Sequence, residues 1–579
     1  MPPLWSLASS GKPRSSGGCW TCRLRRKKCA ENRPECDTCR ALEITCFFHD
    51  DKPDWMDGGR KQRQMAETIK AQVKRQASQR RDRRYLDMIK YGEAAEPKSP
   101  DLSPDKTLSA SPSQPQDGQT PWGGQLPIRP LQGEPLRDPD YDSNPHLAII
   151  YFDFVFGYLF PLYHPPALAG GRGWMLDMLQ SNRPLFHSAI SLATSFVAML
   201  RGITLEGKPS QDDYCFFRMM RKLDAQLELG LTELQKEVRS LNAVASAFDR
   251  TKGLAVMQSV IQMLLFEVAM SDKDNWRIHL DAAIALFVQI VPDPPQWRDM
   301  LVDMQDHQWP PPQSPIRFYA ATLLYADVLA SVTFAQPPRL QRYLHHVMPK
   351  DPRENPALEL DFTGPVFLDD YLGLDNWILH TLGDLTSLEA WKRSHKDLVP
   401  ELESRAKALA TAIKARLAHV EQQQQSPGHK TQPLLLRDPI EVGHVVRPET
   451  RLQCQVLWLL AMLAYLHVMV SGWRADRSEI DWCLGRARQI FSLLPSQPSG
   501  PMQLRALAWP LCVCACLSPP QDRDTYSTLM LQLGPLTTFG IIKEVNDMMQ
   551  KVWSMEPHLD ESWDVSKCLN VLGHAVLLV

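Results

Sequence analysis

The 579-residue chain predicts a small metal-stabilised module near its start, a disordered linker, and a large all-α body. Three observations carry this fold class. Six cysteines, Cys19, Cys22, Cys29, Cys36, Cys39 and Cys46, form two copies of the spacing C-x2-C-x6-C, offset by seventeen residues throughout. Residues 93–143 are poor in apolar side chains and rich in Pro, Ser, Asp and Gln. Beyond residue 144, apolar residues recur at steps of three and four, and strand-like alternation bounded by turn pairs is scarce.

The cysteines come first in the chain and in the argument. Zinc takes four ligands tetrahedrally, and C-x2-C spacing lets two thiolates from one turn reach the same ion. Six thiolates are too few for two separate four-sulfur sites, but they close around two ions if two sulfurs bridge. The internal repeat makes equivalent cysteines, one per half, the natural bridges. Such a site is saturated, so its zinc is expected to be structural, with no open position for water or substrate. The rival reading is a disulfide framework, which needs an oxidised, exported protein. Residues 1–18 lack an apolar signal core and are expected to be disordered, and the seven other cysteines lie singly or in apolar surroundings. A second rival, two unrelated zinc sites recruiting outside ligands such as His49, does not account for the matched spacing.

The two halves then diverge. The first fills its six-residue gap with Arg23, Leu24, Arg25, Arg26, Lys27 and Lys28, the second with Arg40, Ala41, Leu42, Glu43, Ile44 and Thr45. One half is built to meet an anion and the other to pack. Charge is also unevenly spread: residues 1–92 hold 21 Lys or Arg against 11 Asp or Glu, a net of +10, which leaves −12 for the remainder of a chain whose total is −2. A basic head on an acidic body favours encounter with nucleic acid.

With that pattern, Cys19 to Cys46 resembles the fungal Zn(II)2Cys6 binuclear cluster of transcription factors, with no departure in spacing. The resemblance implies two structural Zn²⁺ per chain, bridged by the first and fourth cysteines, here Cys19 and Cys36. It places Pro34 in the loop between the halves, where the family's proline is often cis. It also places the first short helix at the major groove of double-stranded DNA, commonly over a CGG triplet, with Arg25 and Arg26 as the base readers. The chemistry agrees, since an Arg fork matches guanine O6 and N7 bidentately while Lys neutralises phosphate. Lys27 and Lys28 are therefore expected to clamp the backbone, and Arg23 and Arg40 to hold phosphate or the cluster. A solvated basic run, or a nuclear import signal, is the competing use of these residues.

After the cluster, Phe47 and Phe48 are expected to cover it, and 50–59 reads as a polar turn. Residues 60–90 have helix-forming, strongly basic composition. A heptad register through Ala66, Ile69 and Val73 meets Gln76, Arg80, Arg83 and Asp87, a poor seam for a coiled coil. A solvated or DNA-skimming basic helix is the expectation, and homodimerisation is left open. The linker over 93–143 cannot bury enough apolar area to offset its ordering entropy. Its Ser-Pro pairs, at Ser99, Ser103 and Ser111, read as linker composition rather than phosphorylation sites.

In the body, 144–579, one stripe runs through Phe186, Ala189, Ile190, Ala193, Val197 and Leu200, and another through Leu402, Ala406, Leu409, Ile413, Leu417 and Val420. Further helices are expected near 146–161, 212–236, 254–270, 275–291, 316–334, 376–396, 450–472, 478–493, 502–517 and 536–553, with a loop over 422–447. Two apolar stretches, Ala148 to Tyr163 and Val456 to Val470, are shorter than the roughly twenty residues a membrane span needs, so no membrane partner is expected. The fragments Asn376-Trp377-Ile378, Leu388-Glu389-Ala390-Trp391-Lys392 and Ala506-Leu507-Ala508-Trp509-Pro510-Leu511 resemble the fungal-specific transcription factor domain. That resemblance implies a helical regulatory body that meets co-regulators, the transcription machinery or a small-molecule effector.

No phosphate loop with Gly-Lys-Ser, Gly-x-Ser-x-Gly elbow, His-Glu-x-x-His or dinucleotide fingerprint occurs, so no catalytic residue is assigned and an enzyme is not expected. Cys512, Cys514 and Cys516 alternate along an apolar helix and read as buried small hydrophobes. Glu556, Asp560, Glu561 and Asp564 with Leu559 and Trp563 read as a surface turn rather than an acidic activation patch. The expectation is a nuclear, zinc-dependent, DNA-binding regulator of RNA polymerase II transcription in a fungus, activating pathway genes such as a secondary-metabolite cluster. The alternative is a zinc-stabilised interaction scaffold that does not touch DNA.

Overall fold

The computed structural model describes residues 17–49, 51–66, 68–70, 72–73, 144–165, 170–200, 214–242, 248–270, 275–304, 313–350, 365–395, 397–425, 448–473, 477–494, 500–555, 559–560 and 562–579. The expectations for residues 1–16 and for 74–143, the Ser-Pro pairs included, lie outside them. The chain divides into two compact units, Met1–Ala94 and Ala95–Val579.

In the first unit, α1 (Trp20–Arg25) and α2 (Asp37–Arg40) each begin at a cysteine of the repeat. Cys19 caps α1 by accepting from the Cys22 N–H, and Cys36 caps α2 by accepting from the Cys39 N–H, so the thiols take the place of the usual hydroxyl or carboxylate cap. Further helical residues are 60–66, 68–70 and 72–73. Among them, Ile69 is 1% exposed, buried with Ile44 and four of the cysteines, while Met65, Val73, Leu24, Leu42, Phe47 and Phe48 pack around them. Up to Val73 this corrects the solvated alternative of the solvated or DNA-skimming basic helix: Met65, Ile69 and Val73 recur every four residues, one stripe of a helix, and that stripe is docked on the cysteine module. The apolar gap of the second repeat, Leu42 and Ile44, receives it. Gln72 Nε2 donates to Thr45 Oγ1 at 3.4 Å. The two phenylalanines do cover the cluster, and Trp55, in the expected polar turn, meets Phe47 edge-on with ring centroids 5.4 Å apart.

The second unit is helical, with no strand among the described residues. Its main helices are α3 (Arg183–Leu200), α4 (Tyr214–Asn242), α5 (Arg250–Met270), α6 (Trp276–Ile290), α7 (Pro315–Phe334), α8 (Asn376–Ser394), α9 (Val399–Gln425), α10 (Pro448–Ser471), α11 (Ser478–Leu493), α12 (Ala508–Leu517) and α13 (Gly540–Met555). Chain neighbours pair most closely, α3 with α4, α5 with α6, α9 with α10 and α10 with α11. Local signals set the boundaries. Ser314 accepts from the Arg317 N–H and Pro315 opens α7, while Asp375 accepts from the Trp377 N–H and opens α8. The helix expected over 502–517 is two helices, Gly500–Ala506 and α12, separated at Leu507. Pro510 explains the break, because a proline has no N–H for a continuous helix and is tolerated only in a first turn. The helix expected from 536 starts at Gly540, whose φ of +58° a residue with a side chain rarely adopts.

Arg250–Met270 and Glu449–Ser471 are long and apolar enough to cross a membrane, yet 83% and 78% of their most apolar windows are buried inside the body. They are core helices, as expected for the stretch around Val456; the first membrane-like stretch, from Ala148, is instead a helix carrying one π-turn at Tyr151–Val155. Around α10, Trp458 stacks on Trp509 of α12 at 5.1 Å, both almost fully buried. The tail is held inside the body: Trp276 Nε1 donates to Ala575 O, Thr333 Oγ1 to Val576 O, and buried Arg505 to Leu159 O and Val579 O, at 2.7–3.0 Å. A cavity lined by Thr322, Tyr325, Tyr371 and Arg505 lies beside it, with room for about one water. Cys512 and Cys516 lie one turn apart with sulfurs 4.0 Å apart, all three alternating cysteines being buried. Asp564 caps the short helix Val565–Leu569 and pairs with Arg393 at 3.2 Å, and Trp563 donates to Cys568, so these members of the acidic turn are used internally.

Two outcomes follow from this packing. Trp509→Ala should cost about 3–5 kcal/mol, read as an earlier urea transition of the body with zinc content unchanged. Burial brings the His279 imidazole down to about 4, with Glu267 the facing acid at 4.0 Å. A folded value below the unfolded one, about 6.5, means the stabilisation is complete above that pH and is lost as pH falls toward about 4, up to ~3 kcal/mol. His279→Gln should flatten that part of the urea midpoint against pH.

Candidate metal centre and nucleic-acid interface

The sulfurs converge because each cysteine of a C-x2-C pair sits at the mouth of a short helix. Cys19 Sγ lies 3.7 Å from Cys36 Sγ and 3.8 Å from Cys39 Sγ, and Cys22 Sγ lies 3.7 and 3.8 Å from the same two. All four ligand atoms fall within 4.8 Å of one another and all four residues are buried. Tetrahedral zinc with bonds of about 2.3 Å has an edge of about 3.8 Å, so the inner four thiols fit zinc-thiolate geometry. The outer two complete the repeat. The Cys19 N–H donates to Cys29 Sγ and the Cys36 N–H to Cys46 Sγ, both at 3.4 Å. Cys29 also meets Cys36, and Cys46 meets both Cys19 and Cys36. Cys19 and Cys36 are thus the thiols approached by both members of the other pair and by an outer cysteine.

The electrostatics are those of thiols crowded together. Burial pushes the Cys22 thiol up to about 11 and raises Cys19 and Cys39 further. Cys36 is buried too, but the Cys39 N–H and the neighbouring thiols bring it down to about 6. Divalent cations replace those protons and bind the thiolates they leave. Gly18 has a fixed place beside them, because a Cβ there would stand 2.9 Å from Cys29 Cβ.

Two threonines tie the halves together. Thr21 Oγ1 donates to Thr45 O at 2.9 Å, and Thr38 Oγ1 donates to Lys28 O at 3.4 Å, so each half's threonine reaches the carbonyl just before the other half's last cysteine. The Phe47 N–H in turn donates to Thr21 Oγ1 at 3.0 Å. The sequence displayed these threonines as part of the repeat, and their latch role needed the fold. The Arg33–Pro34 peptide is cis.

The basic run follows from α1. Arg25 is its last residue, and Arg26 closes it in the left-handed region at φ 56°. Arg26, Lys27 and Lys28 are exposed, and among the described residues none of their side chains has a hydrogen-bond or ion-pair partner. Arg25 is half-buried, with Nη1 covered and unpaired. The equivalent pair Arg23 and Arg40 separates. The Arg23 guanidinium stacks over Trp20 at 4.5 Å, while Arg40 pairs with Asp37 at 3.2 Å and donates to Glu35 O. Trp20 and Asp37 are themselves equivalent positions, and their difference decides where each arginine goes.

Residues 17–55 match the fungal Zn(2)-Cys(6) binuclear cluster domain, and residues 146–579 match the fungal specific transcription factor domain. Transcription factor dibT of Pestalotiopsis microspora is 28% identical across 98% of this chain and 99% of its own length. Pestheic acid cluster transcriptional regulator 3 of Pestalotiopsis fici is 25% identical over 96% and 97%, and the ustiloxin B cluster transcription factor ustR of Aspergillus flavus is 22% identical over 90% of each. No solved structure matches. Cys36→Ser removes the thiol that approaches Cys19, Cys22, Cys29, Cys39 and Cys46; the expected result is a chain stripped of both zinc ions, read by metal analysis.

Proposed function

The chain belongs to the fungal transcription factors that join a Zn(2)-Cys(6) cluster to the fungal specific transcription factor domain, and on that premise we propose that it binds double-stranded DNA by sequence and activates the genes of one biosynthetic pathway. Its cluster carries two structural zinc ions. In this reading Cys19, Cys22, Cys29, Cys36, Cys39 and Cys46 are the ligands, with Cys19 and Cys36 shared. Zinc supplies the cross-link that holds the two halves, and the polypeptide does the recognition.

The observation that carries the reading is the unpartnered basic turn after a helix fixed at its start by a metal-ligating thiol. A rigid mount lets Arg25 and Arg26 approach guanine edges in a defined register, while Lys27 and Lys28 meet phosphates. Arg23 and Arg40, held by Trp20 and Asp37, act as positioning residues for that mount. The pathway role is supported by relatives named as regulators of the pestheic acid and ustiloxin B clusters. A regulator of this kind acts in the nucleus, and in this reading the helical body meets co-regulators, a second copy or an effector.

Selection of duplexes from a random pool by the zinc-loaded chain should return CGG-type triplets. Arg25→Ala and Arg26→Ala should each lower the ratio of specific to random-duplex affinity by roughly 10- to 100-fold, the equivalent of about 1–3 kcal/mol per base contact. Unchanged duplex affinity at moderate salt would instead favour a protein-binding scaffold.

A further inference from the structure

The segment over 60–73 has a second face. With Met65, Ile69 and Val73 against the module, Arg60 and Arg63 lie on the outward side of the helix and Lys70 and Lys61 on its flanks, all four exposed. Among the described residues, Arg60 and Lys70 have no hydrogen-bond or ion-pair partner, Lys61 lies in the field of the exposed Asp57 carboxylate at the start of the helix, and Arg63 is engaged by the Gly59 carbonyl at 3.4 Å. Residues 60–73 hold four basic side chains against one acidic, Glu67, a net of +3.

Where the helix docks gives the charge its meaning. The first repeat fills its gap with five basic residues and Leu24, whereas the second offers Leu42, Ile44 and Thr45; Ile44 is buried in one cluster with Ile69, and Thr45 accepts from Gln72 of the helix. The docked segment thus returns positive charge to the half of the module whose own sequence lost it. We infer that the outward side of this segment, Arg60, Lys61, Arg63 and Lys70, is a second nucleic-acid surface that grips the phosphate backbone, and that burial of Ile69 is what holds it in place. The inference rests on the reading that the module binds duplex DNA. Its partner is the sugar-phosphate backbone, so it adds affinity and salt dependence without sequence information.

The test uses the full zinc-loaded chain and measures duplex affinity across a salt series, on selected and on random duplexes. The combined variant Arg60→Ala, Lys61→Ala, Arg63→Ala, Lys70→Ala should weaken both duplexes alike and reduce the slope of log affinity against log salt by about 0.9 for each phosphate contact removed, about 3.6 in all if each residue makes one. The ratio between the two duplexes should stay as it was. Ile69→Asp, which keeps every basic residue but expels the stripe, should lose a comparable part of the slope while retaining two zinc ions; should this variant lose its zinc, the four-residue variant decides alone. An unchanged slope in that variant overturns the inference. A parent chain without duplex affinity overturns the reading beneath it, and a fall in the ratio shows base contact instead of backbone contact.

Discussion

Four sulfurs 3.7–3.8 Å apart, in buried positions, make an arrangement that thiolates tolerate only around shared cations. Everything else in the amino-terminal unit takes its position from that crowding. The thiols start both short helices, the backbone N–H groups at the helix mouths point back at sulfur, and the threonine latches close the halves over one another. A unit this small has little core of its own, since surface outweighs volume at such sizes. The metal centre and the Ile44–Ile69 contact together stand in for it.

The body solves the opposite problem. It is large enough to surround whole helices, so α5, α7, α10 and α12 are apolar on nearly every face and leave amphipathic character to the outer elements. The polar groups trapped inside are answered locally. Arg505 meets two carbonyls, Asp327 accepts from the Leu340 N–H at 2.8 Å and from Arg339, and Glu389 is held by Tyr465 and Arg393. Burial raises both carboxyls, and these donors offset part of the shift.

Most of the architecture was legible because its signals are local. The cysteine spacing foretold which residues meet, and the stripe through Ile413 foretold the inward face of its helix; the stripe through Ala189 did so only in part, since Leu200 at its end is 55% exposed and Ser188, Ser191, Thr194 and Ser195 beside it are buried. What escaped depended on distant partners. The stripe Met65–Ile69–Val73 looks identical whether it seeks a second helix or the underside of a metal module, and only the fold shows Ile44 waiting for it. Arg23 and Arg40 read as equivalents until their neighbours, an indole and a carboxylate, pull them apart. The break at Leu507 was visible in Pro510, but a hydrophobic run on both sides masked it.

The reciprocal threonine latches also bear on how such a module can change over generations. Each ties the residue before one half's second cysteine to the carbonyl preceding the other half's last. An inserted residue in either six-residue gap would displace a sulfur and a latch acceptor in both directions at once. The exposed stretch from Ala30 to Pro34 carries neither. A change in length there leaves every sulfur and both latch acceptors in their own copies undisturbed, so that hinge is the place where the module can lengthen at least cost.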